Sequence, residues 1–188
     1  PLNQIIHGDC KEIMQWFPDK CINMTFTSPP YNMGLRARDG KYIINKNKED
    51  HFSKKYSSVF DDTLSIADFY TLHKSIMNEL LRVSDVVLYN IQLVTGSKEA
   101  FFKIIGDFSK NIKDIVIWDK GFGQPAMNPK VLNSAYEMII ILEGNERCGR
   151  FLEYATFSRG ELQNIWRVNR AKKYGNYHSA QFPVELAE

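Results

Sequence analysis

Cysteine is scarce in this chain, and long apolar runs are absent. Its 188 residues hold three cysteines, Cys10, Cys21 and Cys148, odd in number and widely spaced, so neither a disulfide framework nor a zinc cluster is implied. The histidines His7, His51, His73 and His178 show no i, i+4 pairing and no neighbouring cysteine, and no metal site is expected. The longest apolar run, Met138-Ile139-Ile140-Ile141-Leu142, has strand length, whereas crossing a bilayer takes about 18–20 residues. Asp9, Lys11 and Glu12 interrupt any apolar leader, and a cytoplasmic address is the expectation. Internal repeats and low-complexity segments are also missing.

What is present is an ordinary globular composition, 44% hydrophobic and 24% charged, which argues against disorder and is enough for one sizeable core. The net charge of +2 conceals an uneven distribution. Residues 33–58 carry seven basic side chains against three acidic ones, a net +4: Arg36, Arg38, Lys41, Lys46, Lys48, Lys54 and Lys55. Residues 145–174 carry another +4, with Arg147, Arg150, Arg159, Arg167, Arg170, Lys172 and Lys173. The remainder therefore sums to −6. Both basic stretches contain aromatics and lack helical periodicity, so they read as long loops or small excursions. Such a pattern suits either a solvated surface or a polyanion-binding rim on an acidic body.

Between these stretches the pattern alternates strand and helix. Gln4-Ile5-Ile6-His7 reads as a strand ending at Gly8-Asp9, Lys11 to Phe17 as a helix, and Ile22 to Thr27 as a strand that runs into Ser28-Pro29-Pro30-Tyr31. Ser65 followed by Asp68 resembles a capping box and opens a helix to about Val83, with an apolar stripe of Ile66, Phe69, Leu72, Ile76, Leu80 and Leu81. Asp85 to Ile91 reads as a buried strand, Ser97 to Ser109 as a helix, and Asp114 to Trp118 and Tyr136 to Leu142 as further strands. The alternation predicts an α/β fold with a mostly parallel, two-sided sheet.

Thr27-Ser28-Pro29-Pro30-Tyr31-Asn32 follows a predicted strand, the place where α/β sheets bind ligands. Neither proline has an N–H, so the peptides there present carbonyl oxygens with no competing donor and with φ held still. Such an acceptor array suits a substrate amino group. Ser28 adds a hydroxyl acceptor and Tyr31 a flat face for an aromatic ring. Together they would aim the lone pair of an exocyclic amine at an electrophile, which is catalysis by positioning. The alternative is a Pro-Pro loop that merely ends a strand.

These residues resemble the amino-methylating DNA methyltransferases, whose catalytic motif is Asp/Asn/Ser-Pro-Pro-Tyr/Phe and whose methyl donor is S-adenosylmethionine. The resemblance covers nearly the whole chain. Ile5 to Cys10 resembles the family's opening strand and acidic turn, Ile117 to Lys120 and Tyr136 to Ile139 its later strands, and His178 to Leu186 the segment that introduces the cofactor-binding half. The order, catalytic motif first and cofactor half last, is similar to the beta permutation group. The resemblance implies an α/β, Rossmann-like methyltransferase sheet with helices on both faces. It also implies a catalytic domain over residues 1–143 with a mobile basic loop at 33–58, a target recognition region at 144–173, and the start of a cofactor half at 174–188.

By the same resemblance, Ser28, Pro29, Pro30 and Tyr31 would engage a base flipped out of double-stranded DNA. Asp9 and Cys10 would lie near the cofactor's adenosine, and His178, Ser179 and Phe182 at its methionine end. The basic residues of both stretches would contact DNA. Serine at position 28 is more typical of cytosine-N4 than of adenine-N6 enzymes, including those of restriction-modification systems. The family's glycine-rich cofactor loop has no counterpart within these residues, so the sheet is expected to lack its two central strands. Cofactor binding would then need a further segment, a second chain or a homodimer. A catalytically inactive DNA-binding fragment is the alternative reading, and an RNA or protein amide methyltransferase a third.

Overall fold

The computed structural model describes residues 3–44, 62–124, 129–145, 149–171 and 182–188. Lys46, Lys48, Lys54, Lys55, Arg147, Lys172, Lys173, His178 and Ser179 lie outside the described residues. The elements run α1 (Cys10–Met14), β1 (Ile22–Thr27), β2 (Leu35–Arg38), β3 (Lys41–Ile44), α2 (Ile66–Val83), β4 (Ser84–Ile91), α3 (Lys98–Asp107), β5 (Ile112–Gln124), β6 (Ser134–Glu143), β7 (Ile165–Arg167) and α4 (Val184–Ala187). Local chemistry sets several of these boundaries. Asp9 caps α1 by accepting the Lys11 N–H at 2.8 Å, and Ser65 caps α2 by accepting the Asp68 N–H at 3.1 Å. Each satisfies a donor that the first helical turn leaves orphaned.

Five strands form one sheet in the order β1-β4-β6-β5-β7. β1 pairs parallel with β4 and β5 with β7, while β4–β6 and β5–β6 are antiparallel. The sheet is therefore mixed rather than mostly parallel, because β5 and β6 form a long hairpin instead of a βαβ crossover. One face carries Val87, Tyr89, Ile91, Ile140 and Leu142 against α2 and α3. The other carries Val86, Leu88, Val116, Trp118, Ile139 and Ile141, covered by Phe182 and by Leu186 of α4. Period-2 alternation along each strand assigns the two sets to opposite sides.

Three further expectations are corrected. Gln4–His7 is not a strand: Ile5 is fully exposed and no ladder forms there among the described residues. A short strand persists only when its backbone groups are paired. The basic stretch after the catalytic motif is partly ordered as the β2–β3 hairpin, whose turn residues Asp39 and Gly40 have φ of 51° and 73°. An Asp-Gly pair with both φ positive is a strong short-range hairpin signal, and it was legible in the sequence. The second basic stretch contributes β7 to the sheet edge rather than lying wholly outside it.

His73 lies fully buried on α2, with Nδ1 2.5 Å from the Tyr89 hydroxyl and its ring 4.1 Å from that of Phe69. Burial pushes its pKa down from 6.5 to about 4. Between these values the unfolded chain binds a proton that the folded chain refuses, so stability is full above pH 6.5 and is lost as pH falls toward 4. The loss amounts to about 3 kcal/mol. Urea unfolding at pH 7.5 and 5.0 should show this slope in the wild type and lack it in His73→Gln. Equal slopes in both proteins would refute the assignment.

Candidate active site

The carboxyl ends of β1 and β4 meet the amino-terminal end of β6, because β6 runs antiparallel to β4. The Ser28–Asn32 loop crosses this end. Its far anchor is Asn32, fully buried with φ of 56°, whose side-chain amide donates to the carbonyls of Leu64 and Gly96, both at 2.9 Å. Gly96 allows this approach, since a Cβ there would stand 2.2 Å from the Asn32 carbonyl oxygen. The loop's exit is thus pinned by a buried amide and by a glycine that no larger residue can replace without displacing it.

Ser28 is exposed, yet its hydroxyl lies 2.6 Å from the Tyr31 hydroxyl. The Tyr31 O–H donates to Glu137 Oε2 at 3.0 Å. Asn90 Nδ2 reaches Glu137 Oε2 at 2.6 Å, Tyr31 Oη at 2.8 Å and Ser28 Oγ at 3.3 Å. Glu137 Oε1 accepts from Lys120 Nζ at 3.0 Å, in an ion pair whose side chains are 2% and 11% exposed. Burial lowers the Lys120 pKa, opposed by the Glu137 carboxylate. Side chains from the loop and from β4, β5 and β6 therefore form one network that ends on the exposed hydroxyl of Ser28.

Ser28, Asn90, Lys120 and Glu137 share one face of the sheet, whereas the Tyr31 ring packs with the cluster under α2 and α3. Phe26 precedes Ser28 by two residues, Leu88 precedes Asn90, Trp118 precedes Lys120, and Ile139 follows Glu137, so an apolar row lies directly beneath the polar one. Phe182 closes that row, its ring 4.8 Å from Phe26 and 5.7 Å from Trp118. A floor of this kind keeps water from beneath the polar cluster, where hydrogen bonds gain strength from the low dielectric.

The sequence-derived site residues are distributed unevenly. Ser28, Pro29, Pro30 and Tyr31 form the loop, but Tyr31 is only 9% exposed, so stacking a base on its ring requires the loop to move. Asp9 and Cys10 are exposed at the start of α1, beside a groove of about 640 Å³ lined by Gln4, Ile6, Ile13 and Met24, among others. The groove follows the edge of β1 away from β4. Arg36, Arg38 and Lys41 lie on the hairpin that leaves the loop, and Arg167 sits on β7, 3.7 Å from Asp119. Arg170 is near enough to Lys120 for its charge to lower the Lys120 pKa. Arg159 is exposed on the excursion before β7. Arg150 differs: it pairs with Asp114, six residues before Lys120 on β5, or about 20 Å along the strand from the cluster.

Asn90, Lys120 and Glu137 were missed by the motif reading. A signal existed, because Asn90 and Glu137 are lone polar or charged residues in apolar strands, in Val86-Val87-Leu88-Tyr89-Asn90-Ile91 and Tyr136-Glu137-Met138-Ile139, and Lys120 is one of a charged pair that ends the apolar run Ile115-Val116-Ile117-Trp118. Buried polar groups of this kind need partners.

The mixed sheet with helices on both faces, and a Ser-Pro-Pro-Tyr loop at the carboxyl ends of its parallel pair, define a Rossmann-like methyltransferase fold. The N6/N4 DNA methylase family model matches residues 22–188, and the chain belongs to that family of amino-methylating DNA methyltransferases. It is 24% identical over 195 residues to the type II methyltransferase M2.MboI of Moraxella bovis, covering 97% of this chain and 67% of the relative. Its fold is similar to that of the cytosine-N4-specific PvuII DNA methyltransferase, with a TM-score of 0.59 at 12% identity, covering 95% of this chain and 65% of that one. A structure described as a DNA modification methylase from Thermus thermophilus, in complex with S-adenosyl-L-methionine, matches with a TM-score of 0.53 at 16% identity, covering 96% and 69%. The chain spans about two-thirds of the length of these relatives.

Proposed function

We propose that this chain is the catalytic part of a DNA methyltransferase that transfers a methyl group from S-adenosylmethionine to the exocyclic amine of a flipped base, cytosine N4 in preference to adenine N6. The observation that carries the reading is the exposed Ser28 hydroxyl, held at the carboxyl end of β1 by a buried cluster. Ser28 Oγ and the Pro29 carbonyl would accept the amine's two N–H groups, which turns its lone pair toward the incoming methyl. The hairpin residues Arg36, Arg38 and Lys41, together with Arg167 and Arg170, flank this end of the sheet and suit phosphate contacts.

The residues present fit one side of the cofactor. Asp9 offers an exposed carboxylate for adenosine hydroxyl or amino groups, beside the apolar wall of Ile6, Ile13 and Met24. When bound, the cofactor supplies an electrophilic methyl on a sulfonium. We place the rest of its site along the β1 edge, supplied by a further segment or a second chain, because that edge pairs with no other strand among the described residues and carries exposed apolar Met24.

The test is transfer of labelled methyl from S-adenosylmethionine to duplex DNA, with the product nucleosides separated. The chain joined to a glycine-rich cofactor segment is expected to yield N4-methylcytosine, and the chain alone little or none. Salt-dependent DNA binding with no methylation by either form would favour the inactive DNA-binding alternative.

A further inference from the structure

The hydrogen-bond cluster has a direction, and one carboxylate sets it. We propose that Glu137, held by Lys120, is a positioning residue that orients every proton in the cluster so that Ser28 presents only lone pairs to the substrate amine. The proposal deepens the reading of Ser28 as an amine-binding group and rests on it.

The argument is a count of protons. An ammonium can only donate and a carboxylate can only accept. Lys120 occupies Glu137 Oε1 at 3.0 Å, while Oε2 takes the Tyr31 O–H at 3.0 Å and one Asn90 N–H at 2.6 Å. A phenol has a single proton, so Tyr31, having given it to Glu137, can only accept. Its oxygen then takes the second Asn90 N–H at 2.8 Å and the Ser28 proton across 2.6 Å. Ser28 has no other proton. One of its lone pairs is approached by the Asn90 amide nitrogen at 3.3 Å, and the other is left for an amine N–H arriving from the exposed side.

Without the carboxylate the same oxygens could reverse. Ser28 could then accept from Tyr31 and turn its own proton toward the amine, meeting the substrate N–H groups donor to donor. The apolar row of Phe26, Leu88, Trp118 and Ile139 beneath the cluster offers no alternative acceptor, and the unpaired Asn90 Oδ1 belongs to the amide whose nitrogen already faces Glu137 and Tyr31, so Glu137 sets the polarity while that amide keeps its orientation.

Glu137→Gln keeps the shape and an oxygen for Lys120 but turns an N–H₂ toward Tyr31 and Asn90. In the chain joined to a glycine-rich cofactor segment it is expected to lower kcat about 10- to 100-fold, the range for a hydrogen bond to a charged group, with KM for DNA and for the methyl donor within about 2-fold. In a Ser28→Ala background the change should add nothing, because its effect runs through Ser28. A merely structural role would lower Ser28→Ala activity by the same factor again and overturn the proposal.

The second readout does not need turnover. In proton NMR of protein with ζ-¹³C-labelled tyrosine, the Tyr31 hydroxyl proton should be protected from exchange in the wild type and retained in Ser28→Ala, since Glu137 holds it. It should shift or be lost in Glu137→Gln. Loss in Ser28→Ala would mean that the chain runs the other way, and would overturn the proposal even if Glu137→Gln failed to fold. A wild-type chain that transfers no methyl even when joined to a glycine-rich cofactor segment, but keeps the protected proton, would refute the functional reading while leaving the polarity intact.

Discussion

Lys120→Met is expected to lower the unfolding free energy by about 3–5 kcal/mol, the range for removing one partner of a buried ion pair. The Lys120 side chain is 2% exposed, bonds Glu137 at 3.0 Å and lies 5.8 Å from the centre of the Trp118 ring. Methionine fills similar space, so packing is nearly kept and the main change is electrostatic. Glu137 would remain a carboxylate beneath the protein surface, served only by Tyr31 and Asn90 among the groups described in the cluster. Adding Glu137→Gln removes the stranded charge and still offers an amide oxygen to those donors. The double variant should therefore recover at least half of the loss. Guanidinium midpoints for the two single variants and the pair decide the matter: a Lys120→Met protein within about 1 kcal/mol of wild type would show that the ion pair contributes little, as exposed pairs do.

In the chain joined to a glycine-rich cofactor segment, Ser28→Ala is expected to reduce kcat for methyl transfer about 10²- to 10³-fold, the scale seen when one group aimed at a reacting centre is removed. The loss should appear in kcat, because Ser28 contacts the amine and the basic residues proposed to hold DNA lie elsewhere, on β2, β3 and β7. DNA affinity should change by less than about 2-fold, since phosphate contacts dominate it. Stability should change little, because Ser28 is exposed and Tyr31 keeps Glu137 and Asn90. Methyl transfer unaltered by Ser28→Ala would remove Ser28 from the chemistry and, with it, the assigned role of the loop.

Both predictions concern one small volume at the sheet end, but only part of it was readable in advance. The Ser-Pro-Pro-Tyr run announces itself, since two prolines after an alternating strand are unusual and chemically specific. Asn90, Lys120 and Glu137 carry no such mark. Asn90 and Glu137 are isolated polar residues in apolar strands and Lys120 follows Asp119 at the end of another, and nothing local says which partner each meets. The Asp39-Gly40 turn was readable and implied the β2–β3 hairpin, although the surrounding charge suggested a loop.

The sequence alone determined the strands and helices whose apolar residues recur at period 2 or 3.6, the cap at Ser65, and the position of the catalytic loop after β1. These features depend on neighbours within a few residues, so composition and spacing suffice. Tertiary structure decided the mixed strand order β1-β4-β6-β5-β7 and everything that follows from it. The pairing of Trp118 with Glu137 across the β5–β6 hairpin brings Lys120 to that carboxylate, and the antiparallel β4–β6 ladder brings Asn90 to its other oxygen. Those contacts join residues up to 106 positions apart, from Tyr31 to Glu137. They arise from sheet pairing, a long-range choice made by the burial of whole strand faces, which no local pattern in the chain can encode.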